Sequence, residues 1–183
     1  MTTIILVGGN GYIGREITRQ WLIRDSEAQI YVTSRNNKQE IKDNRVHHVQ
    51  VDVNDANAFE DALPEKVDYV VNLTYGSIDA IKSIRDFAEK HGAQAIGNIG
   101  VDSNVELPGF EDFIKMKNNE LQLLQESKVR VTNYDLTVAY GADRNDDLSE
   151  VVQAGNLDEL PPVHVEVVAR ILIDRLTKDW LTN

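Results

Sequence analysis

The chain has 183 residues, 42% of them hydrophobic and 27% charged, which is ordinary globular composition with length enough for one core and excludes global disorder. Nineteen Lys and Arg stand against thirty Asp and Glu, a formal net charge of −11, which disfavours nucleic acid or an anionic membrane as partner because either needs a basic face. Cysteine is absent, which removes disulfides, thiol nucleophiles and Cys-ligated metals.

The predicted elements alternate. Thr3 to Val7 is a β-branched, apolar strand ended by Gly8-Gly9-Asn10-Gly11. Its apolar run Ile4-Ile5-Leu6-Val7 is too short for a membrane span or a signal peptide, so a soluble cytoplasmic protein is expected. A helix follows from about Tyr12 to Arg24, with Ile13, Ile17, Trp21 and Leu22 at helical spacing. Ala28 to Thr33 is a second strand, Arg35 to Asn44 a polar loop, and Val46 to Val53 a third strand. Asp55 to Leu63 is a short helix with Asp55 as its cap and Pro64 as its stop. Val67 to Leu73 is a nearly continuous apolar strand. Ile78 to His91 is a helix with one apolar stripe, Ile78, Ile81, Ile84, Phe87 and Ala88, closed by Gly92.

Ala93 to Ile99 reads as a fifth strand, Phe110 to Ser127 as a helix and Val129 to Val138 as a sixth strand. An acidic stretch from Asp143 to Leu160 precedes Pro161-Pro162 and a last helix from about Val165 to Trp180. Such alternation predicts an α/β fold, a single Rossmann-like doubly wound parallel sheet with helices on both faces. One domain over 1–183 is the simplest organisation, with 141–183 as a short substrate or lid segment. His47 and His48 are adjacent on a strand and point to opposite faces, so no metal site is expected.

Gly8, Gly11 and Gly14 form Gly-x-x-Gly-x-x-Gly between the first strand and the first helix. Gly8 permits a tight turn, Gly11 lets backbone approach a diphosphate, and Gly14 lets the helix pack closely on the sheet. The helix N-terminus adds free N–H groups and partial positive charge, worth up to about 2 kcal/mol for an anion. The strand–turn–helix context makes this a dinucleotide site rather than a bland turn. At the end of the second strand, where an acidic residue would hold an unphosphorylated ribose, the chain reads Thr33-Ser34-Arg35-Asn36. Arg35 is a planar cation suited to phosphate and Ser34 offers a hydroxyl donor. The expectation is NADP(H) over NAD(H); the plain alternative is that Arg35 is a solvated surface residue. Arg15, just past the third glycine, is open between a cofactor role and a surface cation.

The glycine turn together with Ser34-Arg35, Val51-Asp52-Val53, Asn72-Leu73-Thr74, Leu136 to Gly141 and Val163-His164-Val165-Glu166 resembles the short-chain dehydrogenase/reductase superfamily. The likeness is to its extended and atypical branches: NmrA-like, NAD(P)H-binding and NAD-dependent epimerase/dehydratase groups. The resemblance implies cofactor contacts from Asn10, Tyr12 and Ile13 beside the three glycines. It further implies Asp52 and Val53 at the adenine, Leu73, Thr74 and Tyr75 beyond the fourth strand, and Gly97 to Gly100 facing the nicotinamide. Asp52 has the alternative of capping the helix near Asp55, and Asn72 and Thr74 that of serving their own turn. His164 and Glu166 are taken as structural.

Family oxidoreductases pair Tyr with Lys four residues later, the phenol passing a proton and the ammonium lowering its pKa. This chain departs from that pattern. One frame on the helix sets Phe113 and Lys117 at the pair; another, anchored on Glu120 and Leu123-Leu124, sets Asp112 and Met116 there. Neither supplies a tyrosine. Lys117 is left between holding the nicotinamide ribose and being solvated. The cofactor carries the hydride chemistry, so an acceptor that needs little protonation by the protein remains open. The sequence therefore supports an NADP(H)-binding oxidoreductase without the usual pair, its substrate unassigned, against a non-catalytic NAD(P)H redox sensor. A monomer or homodimer is expected.

Overall fold

A computed structural model of the chain describes residues 1–102, 109–141 and 162–177. Strand β1 (Thr3–Val7) is buried along its whole length, as a continuous apolar run must be when both faces of a sheet are covered. It pairs in parallel with β2 (Gln29–Ser34) on one side. On the other side it pairs with a later strand, Tyr69–Asn72. Taking Val46–Gln50 as β3, that later strand as β4, Ala95–Val101 as β5 and Arg130–Leu136 as β6, the order is β3-β2-β1-β4-β5-β6. All pairings are parallel.

The pleat sends alternate residues to opposite layers. Ile4 and Leu6 of β1 pack with Ile17 and Trp21 of α1 (Tyr12–Arg24). The same layer takes Val168, Leu172 and Leu176 of the final described helix, Val165–Thr177, here α5. Ile5 and Val7 face Phe59 of α2 (Ala56–Ala62), Ile81, Ile84 and Phe87 of α3 (Ile78–Lys90), and Leu124 of α4 (Glu111–Gln125). The fold is the doubly wound parallel sheet with helices on both faces. Short strands β7 (Ala139–Tyr140) and β8 (Val163–His164) pair in parallel beside it. No helix among the described residues is long and apolar enough to cross a membrane.

Local signals set several boundaries. Asp55 caps α2, its carboxylate accepting from the Ala58 N–H at 3.0 Å. Ser77 caps α3, and Gly92 stands at φ +64° past its end. Other boundaries shift. β3 stops at Gln50; after one more bond, Val51 N–H to Ser34 carbonyl, Asp52 accepts the Asn54 N–H and turns the chain away. Ile78, expected in the apolar stripe of α3, lies in the first turn and is exposed. The acidic stretch Asp143 to Leu160 and Trp180 lie outside the described residues.

Leu172 is fully buried between α5 and the sheet, whereas Ile23 is 84% exposed. Leu172→Ala should cost about 3 kcal/mol of unfolding free energy, and Ile23→Ala less than about 0.5 kcal/mol. Urea denaturation of both variants checks the layer assignment.

Candidate functional site

Strand order reverses between β1 and β4, and in open α/β sheets ligands bind outside the carboxyl ends of strands at such a point. Gly8 ends β1 there at φ +75°. A Cβ on it would lie 2.8 Å from Thr74 Cγ2 and 3.3 Å from the Leu73 carbonyl oxygen. Gly14 has a different reason from the one expected. Its Cβ would stand 2.2 Å from the Gly9 carbonyl oxygen, so the glycine lets α1 close on the turn itself rather than on the sheet. Around Gly11 no atom of the described residues lies within 4 Å of where a Cβ would stand. Gly11 also begins α1 without a side-chain cap, and the first turn carries no acidic residue. The space on the Gly11 side of the turn is therefore clear of side chains of the described residues, with the positive end of α1 behind it.

The turn is braced from β2. Asn10 Nδ2 donates to Ser34 Oγ at 3.1 Å and to the Lys38 carbonyl at 3.0 Å. Ser34 donates its own hydroxyl to the Asn36 carbonyl at 2.6 Å. The Ser34 proton expected for a ligand is thus engaged within the protein. Arg15 Nη1 donates to the Asn10 carbonyl at 2.8 Å, which makes it a brace of the turn.

Two cavities meet over this point. One, of about 350 Å³, is lined by Gly8, Gly11 to Gly14, Leu73 to Tyr75, Ile99 to Val101, Phe113, Lys117 and Leu136 to Ala139. The other, of about 620 Å³, is lined by Thr33 to Asn36, Val51 to Asn54 and Thr74 to Ser77. Gly8, Thr74 and Tyr75 belong to both, so the two form one groove. Gly8, Gly11, Tyr12, Ile13, Gly14, Ser34, Arg35, Asp52, Val53, Leu73, Thr74 and Lys117 all line it; Asn10 acts from behind. The β5 residues at the groove are Ile99, Gly100 and Val101. Gly97, expected with them, instead faces Leu172 and Leu176 of α5.

Asp52 does not cap α2. The Asn54 backbone N–H and side-chain amide, aided by Arg35, hold its carboxyl below the usual aspartate range. Arg35 makes no ion pair among the described residues.

On α4, Phe113 and Lys117 line the groove, whereas Asp112 and Met116 do not. Phe113 meets Tyr75 edge-on at 5.7 Å between ring centroids. Lys117 is 7% exposed and Glu120 2%, which excludes a solvated lysine. Their charged atoms are 3.5 Å apart. Glu120 Oε1 accepts the Gly76 N–H at 2.6 Å, tying the turn after β4 to α4. Glu120 Oε2, the oxygen that faces the Lys117 ammonium, has no other hydrogen-bond partner among the described residues. Burial pushes the Lys117 pKa down, opposed by the charge and hydrogen-bonding of Glu120. Tyr75, expected beyond the fourth strand, lines the groove; Glu120 and Asn54 carried no sequence signal for it, since each is tied to it through a contact distant in the chain, Glu120 to Gly76 and Asn54 to Ser77.

The NAD dependent epimerase/dehydratase family model matches residues 4–97, more than half of the chain. The chain belongs to the NAD dependent epimerase/dehydratase family. The family segment carries the glycine turn, the end of β2 and the end of β4; Lys117 lies beyond it. No curated protein matches the chain. Solved structures share the fold. The Bordetella bronchiseptica enzyme WbmH, solved with NAD+, is 12% identical with a TM-score of 0.76, over 96% of this chain and 72% of that one. Serine dehydrogenase from Escherichia coli is 18% identical, TM-score 0.72, over 97% and 92%. A wide-type short-chain dehydrogenase/reductase from Veillonella parvula, solved with NADP, is 18% identical, TM-score 0.69, over 97% and 88%.

Two measurements follow from this geometry. Gly14→Ala should destabilise by about 3 kcal/mol through the clash with the Gly9 carbonyl, while Gly11→Ala should change stability by less than about 0.5 kcal/mol; thermal and urea unfolding separate them. Lys117 should titrate below the usual lysine value of about 10.4 when followed by side-chain carbon NMR. Glu120→Gln should lower it further, because the opposing negative charge is gone; a rise would contradict the pairing.

Proposed function

We propose that this protein is an NADP(H)-dependent oxidoreductase of the short-chain dehydrogenase/reductase kind, working without a Tyr-x-x-x-Lys pair. The observation that carries the reading is the open, uncapped N-terminus of α1 at Gly11, set in a groove that runs from Arg35 to Lys117. An anion at Gly11 meets backbone N–H donors without a side chain in the way. Membership of an NAD dependent family, and the cofactors in the WbmH and Veillonella structures, support a nicotinamide dinucleotide as the ligand.

The preference for NADP(H) rests on Arg35. Its guanidinium is a permanent cation at the carboxyl end of β2, in a cavity whose one carboxylate, Asp52, is engaged by Asn54. Asp52 and Val53 would wall the adenine side, and Leu73 and Thr74 the middle of the groove. When bound, the cofactor supplies the hydride. Lys117 would hold a sugar hydroxyl with its ammonium, kept in place by Glu120. Phe113, edge-on to Tyr75, contributes shape and excludes water but no proton. With Ile99, Val101, Leu136 and Val138 it forms an apolar wall. An acceptor that needs no phenolic proton, such as a quinone or a flavin, suits that wall better than a simple ketone. No observation favours the sensing role over this one.

Titration with NADPH and NADH, followed by nicotinamide fluorescence, tests the reading. Arg35→Ala should weaken NADPH about tenfold or more, the loss of one charge-assisted contact, and leave NADH within about twofold. Equal losses would reject the phosphate role. Gly11→Ala should remain folded and lose both cofactors, since its methyl would fill the diphosphate position. Failure of the unmodified protein to bind either cofactor below millimolar concentration would overturn the proposal.

A further inference from the structure

A row of side-chain amides crosses the sheet beside the groove. Asn72, Asn98 and Asn133 occupy one register level on β4, β5 and β6. Asn133 Nδ2 donates to Asp135 Oδ1 at 2.6 Å, Asn98 Nδ2 to Asn133 Oδ1 at 2.8 Å, and Asn72 Nδ2 to Asn98 Oδ1 at 2.9 Å. Asn72 Oδ1 then accepts the Thr74 N–H at 3.1 Å and meets Thr74 Oγ1 at 2.8 Å. Asn72 and Asn98 are wholly buried.

The direction of this row is dictated from both ends. An ionised carboxylate only accepts, and a backbone N–H only donates. Asp135 demands an N–H from Asn133, which leaves the Asn133 oxygen for Asn98, and so on to Asn72. From the other end, the Thr74 N–H demands an oxygen from Asn72 and imposes the same direction. Turning either buried amide would set donor against donor or acceptor against acceptor where water cannot compensate. The amide orientations are therefore fixed by chemistry.

The consequence falls on Thr74. Asn72 Oδ1 carries no hydrogen, so at 2.8 Å it must receive the Thr74 hydroxyl proton. Only the lone pairs of Thr74 Oγ1 remain for another partner. Thr74 lines both halves of the groove, and its methyl occupies the space that a Cβ on Gly8 would need.

We propose that Thr74 is a specificity-determining acceptor, a position where the groove takes a hydroxyl or amide N–H of its ligand and rejects a phosphate oxygen. On a nicotinamide dinucleotide the sugar hydroxyls and the amide qualify; the diphosphate does not. The choice of ligand rests on the cofactor reading above, whereas the polarity of Thr74 rests on the amide row.

Two measurements decide it. In the ligand-free protein, the Thr74 hydroxyl proton should be slow to exchange and visible by proton NMR, with a cross-relaxation contact to Thr74 N–H. It should stay protected when NADPH is added. A hydroxyl proton lost to rapid exchange in the free protein, or transferred to the ligand on binding, overturns the proposal. In the second measurement, Thr74→Val should bind NADPH about five- to tenfold more weakly, as expected for one lost hydrogen bond. It should leave the affinity for inorganic pyrophosphate unchanged, and Thr74→Ser should restore NADPH binding. An equal loss for pyrophosphate and NADPH would mean that Thr74 donates to phosphate, and overturns it. If the unmodified protein fails to bind NADPH, the cofactor reading falls and takes the assigned ligand with it, while the free-protein spectrum still decides the polarity.

Discussion

The approach of α1 to the turn after β1 is the constraint on which the rest depends. Gly14 sits so near the Gly9 carbonyl that no Cβ fits between them. That closeness brings the first N–H groups of α1 to the end of β1, at the place where the strand order reverses. Both faces of β1 are held by the core: Ile4 and Leu6 are locked under α1 and α5, Ile5 and Val7 under α2, α3 and α4. A strand gripped on both faces cannot shift its register without moving every side chain to the wrong layer. The groove therefore inherits its geometry from the most buried part of the molecule.

Charge is arranged locally rather than globally. The chain carries a formal net charge of −11, yet Arg35 and Lys117 lie toward opposite ends of the groove. Burial pushes the Lys117 pKa down, and the nearby Glu120 opposes that shift. The same carboxylate holds Gly76, so one buried side chain supports both the cation and the turn that walls the groove. Buried pairs of this kind contribute little net stability compared with apolar packing; here the pair defines where a charge stands. Phe113 beside it gives the groove an apolar character that a tyrosine would not.

The solved relatives share this fold at 12–18% identity. Agreement at that level speaks for the arrangement of layers, and function must be argued from the side chains that each chain hangs on them. In this chain those include an amide row across three strands, a phenylalanine on α4 in the groove, and an arginine closing β2. The amide row and the glycine turn meet at Thr74, whose methyl fills the space a Cβ on Gly8 would need and whose hydroxyl meets Asn72.

The sequence by itself determined the alternation of strands and helices, the glycine turn, the Asp55 cap and the Gly92 stop. Each of these is written within a few residues, where backbone freedom, capping and periodicity act. It also brought Arg35 to the end of β2, because strand length alone places it there. Tertiary structure decided what depends on neighbours far along the chain. It placed Lys117 rather than Met116 in the groove, since the rotation of α4 is set by Leu124 against the core. It spent the Ser34 hydroxyl on Asn36, turned Gly97 toward α5 and left Ile78 exposed. Above all it aligned Asn72, Asn98 and Asn133, because strand register is a long-range agreement that no local pattern encodes.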